Sequence, residues 1–149
     1  MKSKQKIQLK NTNQIEKKCT LCNPQKYLKF SFAYVGYESG STKKEDIVKF
    51  WERMLWLSER RFDEMLFDYK TSKDKWFETL PLSAIKKDVP QKFRADFPSI
   101  TNEKYYVLRV YPAGSPNGTA NPRIIGMVRN TIFYIFFLDW DGKLYKHGR

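Results

Sequence analysis

The sequence lacks the features that mark a membrane or a secreted protein. No apolar run reaches the roughly 18 residues that a membrane-spanning helix requires. The basic N-terminus, MKSKQKIQLKNTNQIEKK, has no apolar core of the kind found in signal peptides. We therefore expect a cytoplasmic protein whose two cysteines are reduced thiols. Hydrophobic residues still make up 41% of the 149 positions, which excludes wholesale disorder and fits one domain, or one domain with an extension.

Several signatures of cofactor and metal chemistry are missing as well. The chain has no phosphate-binding glycine loop, nucleophile elbow or dinucleotide fingerprint. Cys19 and Cys22 have the spacing of zinc ligands, but no second pair completes a site within one chain. We interpret them as incidental thiols, with a zinc ion shared by two chains as the alternative. Asp139 and Asp141 precede a glycine and favour a turn over a metal site. The sequence thus predicts no cofactor and no metal.

Acidic residues are scarce at both ends of the chain. The net charge is +12, from 28 Lys and Arg against 16 Asp and Glu. Residues 1–30 contain eight lysines and one glutamate, and residues 104–149 contain seven basic residues and two aspartates, while the residues between them balance. Cationic ends predict a polyanionic or acidic partner, and nucleic acid is the leading class. The alternative is a basic protein that has no polyanionic partner.

Hydrophobic periodicity divides the chain into a basic N-terminal arm, residues 1–26, and a single α+β domain, residues 27–149. One strand is expected at 26–38. One long helix, or two helices bent near Ser58, is expected from 42 to about 70, with Thr42 and Glu45 forming a capping box at its start. Short helical pieces follow at 81–97, and further strands at 104–112, 123–130 and 131–140. This order predicts helices packed on one face of a small, mainly antiparallel sheet.

Alternation along the strands predicts a covered face and a basic face. TIFYIFFL is apolar in both alternating sets, which indicates a central strand. If the aliphatic sets of its neighbours face the helices, then five residues share the opposite face: Arg109, Arg123, Arg129, Tyr105 and Tyr111. A bulge would break this parity.

The order of elements resembles the RelE/ParE superfamily of bacterial type II toxins. YLKFSFAYV and a helical segment come first, followed by YYVLRVYP, RIIGMVRN and TIFYIFFLDWDGKLYKH, so that the resemblance covers residues 27–147. Family members carry a strand of the Tyr-x-Leu-Arg-Val kind, an Arg-started hairpin and a final strand that leads to a basic or aromatic tail. This chain departs from them in its length, its basic arm and its longer connection at 113–122.

The resemblance implies a function of one of two kinds. Some members cleave mRNA on the ribosome, with Arg and Lys holding the phosphate and Tyr or His transferring protons, whereas others poison gyrase. We expect a RelE-like toxin module that binds RNA and could cleave mRNA without metal. Its expected protein partner is an acidic antitoxin, and no interaction with a membrane is expected. The alternative is a non-catalytic basic adaptor for nucleic acid or protein, borne by a phage or another mobile element.

The tail KLYKHGR supplies groups suited to metal-free RNA cleavage, which needs a base, an acid and cations for the phosphate charge. Lys143, Tyr145 and His147 would share one face of a strand. Histidine is the side chain whose unperturbed pKa lies near neutrality. The candidate catalytic residues are therefore Tyr145, His147, Arg123 and Lys143. The alternative is a frayed basic end in which Tyr145 only packs.

Basic and aromatic residues interleave on the predicted basic face. Such a surface can bind phosphates and stack on unpaired bases. The candidate nucleic-acid-binding residues are Arg109, Arg129, Tyr105, Tyr111 and Lys146. The alternative is that the arginine stems cover apolar sheet surface while their charged ends are solvated.

Overall fold

The computed structural model describes residues 27–65, 77–99, 103–111 and 122–145. The predicted arm with its two cysteines lies outside these residues, as do Lys146 and His147. The elements are β1 (Lys29–Ser31), β2 (Tyr37–Ser39), α1 (Lys44–Ser58), β3 (Phe77–Pro81), a 3-10 turn (Leu82–Ala84), α2 (Gln91–Asp96), β4 (Lys104–Arg109), β5 (Arg123–Arg129) and β6 (Ile132–Asp139).

The strands form one mixed sheet in the order β1-β6-β5-β4-β3, with β2 beside the far end of β6. β1 and β2 both run parallel to β6, and the remaining pairs are antiparallel. The single strand expected at 26–38 is therefore broken into two short ones, because the backbone turns where the N–H of Val35 donates to the carbonyl of Phe32. β3 was not predicted at all. The α+β class with a mainly antiparallel sheet is confirmed.

β6 is central, as its double apolar pattern predicts. It pairs with β1 and β2 on one side and with β5 on the other. The register shifts at Ile125 and Gly126, whose partners are Phe137 and Ile135, so that Phe136 is the extra residue of a bulge. Phe136 and Phe137 consequently contribute to the same core cluster, and strict alternation fails along this strand.

α1 covers one face of the sheet, called here the helix face. Phe50, Met54 and Leu57 recur at three- and four-residue steps and are buried against the sheet. The helix ends at Ser58, whose hydroxyl donates to the carbonyl of Leu55 at 2.7 Å, and residues 62–65 are helical again. Of the two alternatives that the sequence leaves open, the one with two helices that meet near Ser58 is therefore confirmed.

The predicted capping box at the start of α1 is wrong. Lys43 is the N-cap residue, and no side chain caps the helix there. The hydroxyl of Thr42 instead donates to the carboxylate of Glu38, 3.2 Å away, because the helix begins later than the sequence pattern indicates. Glu45 and Asp46 still lie in the first turn, where the helix dipole favours acidic side chains.

The opposite face, called here the tail face, is covered by residues 82–97 and by the segment that contains Leu144 and Tyr145. Phe93 of α2 packs against Phe136 with ring centroids 4.7 Å apart. The apolar residues of this layer are Ile85, Val89, Phe93, Leu144 and Tyr145. The strand pattern alone did not predict this second layer. Among the described residues, no helix combines the length and the apolar character needed to span a membrane.

Candidate phosphate-binding site

The C-terminal tail is held against the sheet as far as Tyr145. The buried carboxylate of Asp139 accepts hydrogen bonds from the backbone N–H groups of Lys143 and Leu144, at 3.0 and 3.1 Å. Lys86, which belongs to the same layer, also holds this segment. Its backbone N–H donates to the carbonyl of Leu144 at 3.0 Å, and its ammonium group donates to the carbonyl of Lys143 at 2.7 Å. The tail up to Tyr145 is thus part of the fold, and it is not a strand.

The turn predicted at Asp141 and Gly142 is confirmed, and it sets the direction in which the tail leaves β6. Gly142 has a φ of 67°, a conformation that glycine adopts readily. The chain reverses there, and Asp139 accepts the backbone donors that the turn leaves without partners. Asp139 therefore has a structural task. In the described part of the chain, no group of three or more His, Cys, Asp or Glu is placed to hold a metal ion.

Tyr145 is buried, with 4% of its surface exposed. Its hydroxyl donates to the carboxylate of Glu78 on β3, and the guanidinium of Arg123 lies over its ring, 5.4 Å from the centroid. Burial raises the pKa of Tyr145 well above its usual range, and the hydrogen bond to Glu78 raises it further. The phenol therefore stays protonated at neutral pH and is unsuited to act as a general base.

Arg109 and Arg123 lie directly opposite each other on β4 and β5. Both are close enough to Tyr145 to lower the pKa of its hydroxyl, so the two guanidinium groups and the tail meet on the tail face. Arg109 forms no hydrogen bond or ion pair with any residue that the structure describes, and its Nε is buried. Like charges directly opposite each other on a sheet repel. Asp139 faces Arg123 from β6 and offsets part of this repulsion, whereas Arg109 has no acidic partner among the described residues. This arginine pair is the candidate phosphate-binding site.

The other predicted nucleic-acid-binding residues do not join this pair. Arg129 lies at the far end of β5, about 20 Å along the strand from Arg123. It forms an ion pair with Glu103 and stacks over Phe97, 5.3 Å from the ring centroid. Arg129 thus has a structural role of its own, at the opposite end of β5 from the pair formed by Arg109 and Arg123.

Tyr105 and Tyr111 are both inaccessible to a stacking base. Tyr105 is fully buried, and its hydroxyl donates to the carbonyl of Lys87 at 3.0 Å. Tyr111 packs on the helix face, where its hydroxyl donates to Asp46 at 2.6 Å. Burial and this hydrogen bond raise the pKa of Tyr111 to about 12. The predicted shared face is wrong for Tyr111 because β4 ends at Arg109 and the alternation stops there.

The remaining predicted site residues are one exposed lysine and two residues that lie outside the described part of the chain. The side chain of Lys143 is 78% exposed and forms an ion pair with Asp141 at 3.0 Å. Lys146 and His147 lie outside the described residues. Sequence reasoning missed Glu78 and Lys86, which hold the tail. Glu78 lies in the segment WFETL and Lys86 in IKKDV, and neither belongs to a motif that could have revealed its role.

Comparisons with protein-family models, with curated proteins and with solved structures found no match for this chain. The resemblance to RelE/ParE toxins therefore rests on the order of elements and on the strand patterns. The structure shows an α+β fold with a mixed sheet.

Replacing Tyr145 with phenylalanine is expected to lower the free energy of unfolding by about 1–2 kcal/mol, because Glu78 loses its buried donor. Urea denaturation of the wild type and the variant measures this difference. Tyr134→Phe is the matched control, since the hydroxyl of Tyr134 donates to no described residue. A change below about 0.5 kcal/mol, typical of exposed sites, would show that the hydroxyl does not anchor the tail.

Proposed function

We propose that this chain is a RelE-like toxin module that binds RNA, with Arg109 and Arg123 at the centre of its phosphate contact. The observation that carries the proposal is the pairing of the two arginines across β4 and β5, with Arg109 left without a partner in the described part of the chain. A guanidinium group presents several donors in a plane and matches two phosphate oxygens at once. A phosphodiester is therefore the ligand that suits this place.

The distribution of charge supports a polyanionic ligand. Residues 1–26 carry seven lysines and one glutamate. Lysines of this kind attract a nucleic acid over a distance without selecting a sequence, whereas an arginine pair set in a sheet offers a defined contact. The arm is therefore expected to supply general affinity, and the arginine pair to fix where one phosphate lies.

Metal-free cleavage of the bound RNA is the catalytic part of this proposal. The arginine pair would stabilise the extra charge that the phosphate gains in the transition state. The docked tail brings the chain to Tyr145, beside Arg123, and two further residues extend at most about 7 Å from there. His147 is therefore the group proposed to transfer the proton, and Tyr145 a residue that positions the tail.

A non-catalytic basic adaptor is the second candidate function. It is favoured by the structural use of Tyr145, whose hydroxyl is committed to Glu78. A small acidic protein encoded beside this chain would favour the toxin, since an antitoxin is the partner expected for that class. Both candidates share the RNA-binding surface and differ in whether bound RNA is cut.

We expect the affinity for single-stranded RNA to fall steeply as salt rises, because phosphate contacts release counterions. Fluorescence anisotropy across a salt series measures this. Deleting residues 1–24 should reduce the slope, and Arg109→Ala should weaken binding by about tenfold or more at fixed salt, the loss expected for a charged hydrogen bond.

The matched control for Arg109→Ala is Lys104→Ala, which removes one exposed positive charge from the same strand. Binding that is absent, or unchanged by salt, would contradict the proposal. Equal losses in the two variants would assign binding to net charge alone and remove the arginine pair from it.

A further inference from the structure

α1 carries an apolar stripe that faces solvent. Ile47, Trp51 and Leu55 recur at four-residue intervals and therefore lie on one side of the helix, with 44%, 53% and 64% of their surfaces exposed. Val48 widens the stripe, and the exposed ring of Phe32 continues it toward the sheet edge, 6.2 Å from the ring of Trp51. Scattered apolar residues are common on protein surfaces, but a contiguous patch of large ones marks an interaction site.

The stripe is distinct from the side of α1 that holds the helix to the sheet. The residues buried beneath the helix are Phe50, Met54 and Leu57. Position 55 is turned away from that buried row, whereas positions 47 and 51 lie at its margin, and the ring of Trp51 contacts that of Phe50 with centroids 5.4 Å apart. At least 44% of the surface of each of the three residues nevertheless stays exposed, and burial of that area requires another surface.

The charges of α1 indicate what kind of surface that is. The helix contains three basic and three acidic residues, although the whole chain has a net charge of +12. A polyanion or a strongly acidic protein is attracted by positive charge, which this helix does not offer in excess. The stripe fits a partner that is itself apolar and balanced in charge.

α1 of a second copy is such a partner, because it is apolar along the stripe and balanced in charge. The two ends of the helix also carry opposite charges. Lys44 lies at the N-terminal end of the stripe and Glu59 follows its C-terminal end. Both are exposed, and neither forms an ion pair within the described ranges. Trp51 lies midway between them, about 11 Å along the helix axis from each. A second α1 laid antiparallel therefore brings opposite charges together at both ends.

We propose that the stripe is the interface of a homodimer, in which α1 packs antiparallel against α1 of a second copy. A two-fold axis passes close to Trp51. Ile47 then packs against Leu55 of the partner subunit, and Lys44 lies beside the partner subunit's Glu59, with both contacts repeated by symmetry. α1 lies on the helix face, so the tail face with Arg109 and Arg123 stays accessible in both copies.

Sedimentation equilibrium on the full chain tests this, after nuclease treatment so that RNA does not bridge two basic chains. At concentrations on the order of 100 µM we expect a mass twice the 17.8 kDa of one chain. Leu55→Lys should give monomers, because it places two charges in the apolar contact. Circular dichroism verifies that each variant is folded, as expected for substitutions at exposed positions.

Exchanging the charges tests the antiparallel arrangement. Lys44→Glu and Glu59→Lys should each raise the dimer dissociation constant roughly tenfold, since every dimer contains two such pairs. The double variant Lys44→Glu/Glu59→Lys should recover the wild-type constant. Lys104→Glu, which makes the same charge change away from α1, should leave the constant unchanged and serves as the control.

Three results would overturn the proposal. A monomer at every concentration excludes the dimer. A dimer that Leu55→Lys leaves intact, including one lost only when residues 1–24 are deleted, places the association elsewhere. Single charge variants that weaken the dimer without recovery in the double variant contradict the antiparallel pairing.

Discussion

Gly126→Ala is expected to lower the free energy of unfolding by about 3 kcal/mol or more, at the upper end of what overpacking costs. A Cβ atom at this position would lie 2.0 Å from the carbonyl oxygen of Tyr134 and 2.8 Å from Cε1 of Phe133. The first contact is with backbone of the central strand, which cannot move away as a flexible side chain would. β5 and β6 would have to move apart at the bulge. The packing on both the helix face and the tail face would be disturbed, because both depend on the pairing of these two strands.

Chemical denaturation of the wild type and the variant, monitored by tryptophan fluorescence, measures this loss. Gly36→Ala is the matched control, because a Cβ there meets only the carbonyl oxygen of Tyr34, at an ordinary distance of 3.9 Å. We expect that control to change stability by less than about 1 kcal/mol. Similar losses in both variants would show that the close approach of β5 and β6 at Gly126 is not what requires glycine.

The sequence could predict those parts of the fold that follow from local periodicity. The last three strands, the buried face of α1 and the central place of β6 each depend on residues repeated at two-, three- or four-residue steps. The strands predicted at 123–130 and 131–140 follow each other directly, and the tight turn between them lies at Asn130 and Thr131, which adopt positive φ of 49° and 64°. These patterns can be recognised in the sequence because each is formed by neighbouring residues of a single element.

The features missed are those that depend on residues distant in the chain. The bulge at Phe136 follows from how β5 fits β6, and no run of letters within β6 indicates it. Short helical pieces were predicted at 81–97, and α2 confirms them, but its six residues are too few for a helical period that would show which face it covers, so the tail-face layer around Phe93 was missed. Arg129 shares the tail face, but its ion pair with Glu103, which lies 26 residues earlier in the chain, was not visible in the strand pattern.

The candidate site shows the same division. Alternation along β4 and β5 placed Arg109 and Arg123 correctly on one face, and the register made them direct neighbours. The burial of Tyr145 depends instead on contacts of the tail with Glu78, Lys86 and Asp139, which come from three separate segments. A buried tyrosine and a catalytic tyrosine look alike in sequence, and only the contacts of the hydroxyl separate them.

His147→Ala is expected to reduce RNA cleavage by about 10²–10⁴-fold, the loss typical of a missing general acid or base. The sequence alone predicts an equal loss for Tyr145→Phe. The structure separates the two, because the hydroxyl of Tyr145 donates to Glu78 and its pKa is raised by burial, so that it is a poor group for proton transfer. Tyr145→Phe should therefore reduce cleavage much less than His147→Ala, and Arg123→Ala should weaken both RNA binding and cleavage through the lost phosphate contact.

Cleavage of naked and of ribosome-bound mRNA, with a chelator present to exclude metal, measures these effects. Lys146→Ala is the matched control for His147→Ala, since it alters the adjacent position and removes a charge without removing an imidazole; it should reduce binding and leave the cleavage rate at saturating RNA unchanged. Cutting that persists in His147→Ala would show that the proton-transfer assignment is wrong while leaving RNA binding by the arginine pair in place. A wild type that cuts neither substrate, and whose expression does not slow growth, would reject the toxin and leave the adaptor, because an arginine pair can hold a phosphate whether or not a neighbouring group can move a proton.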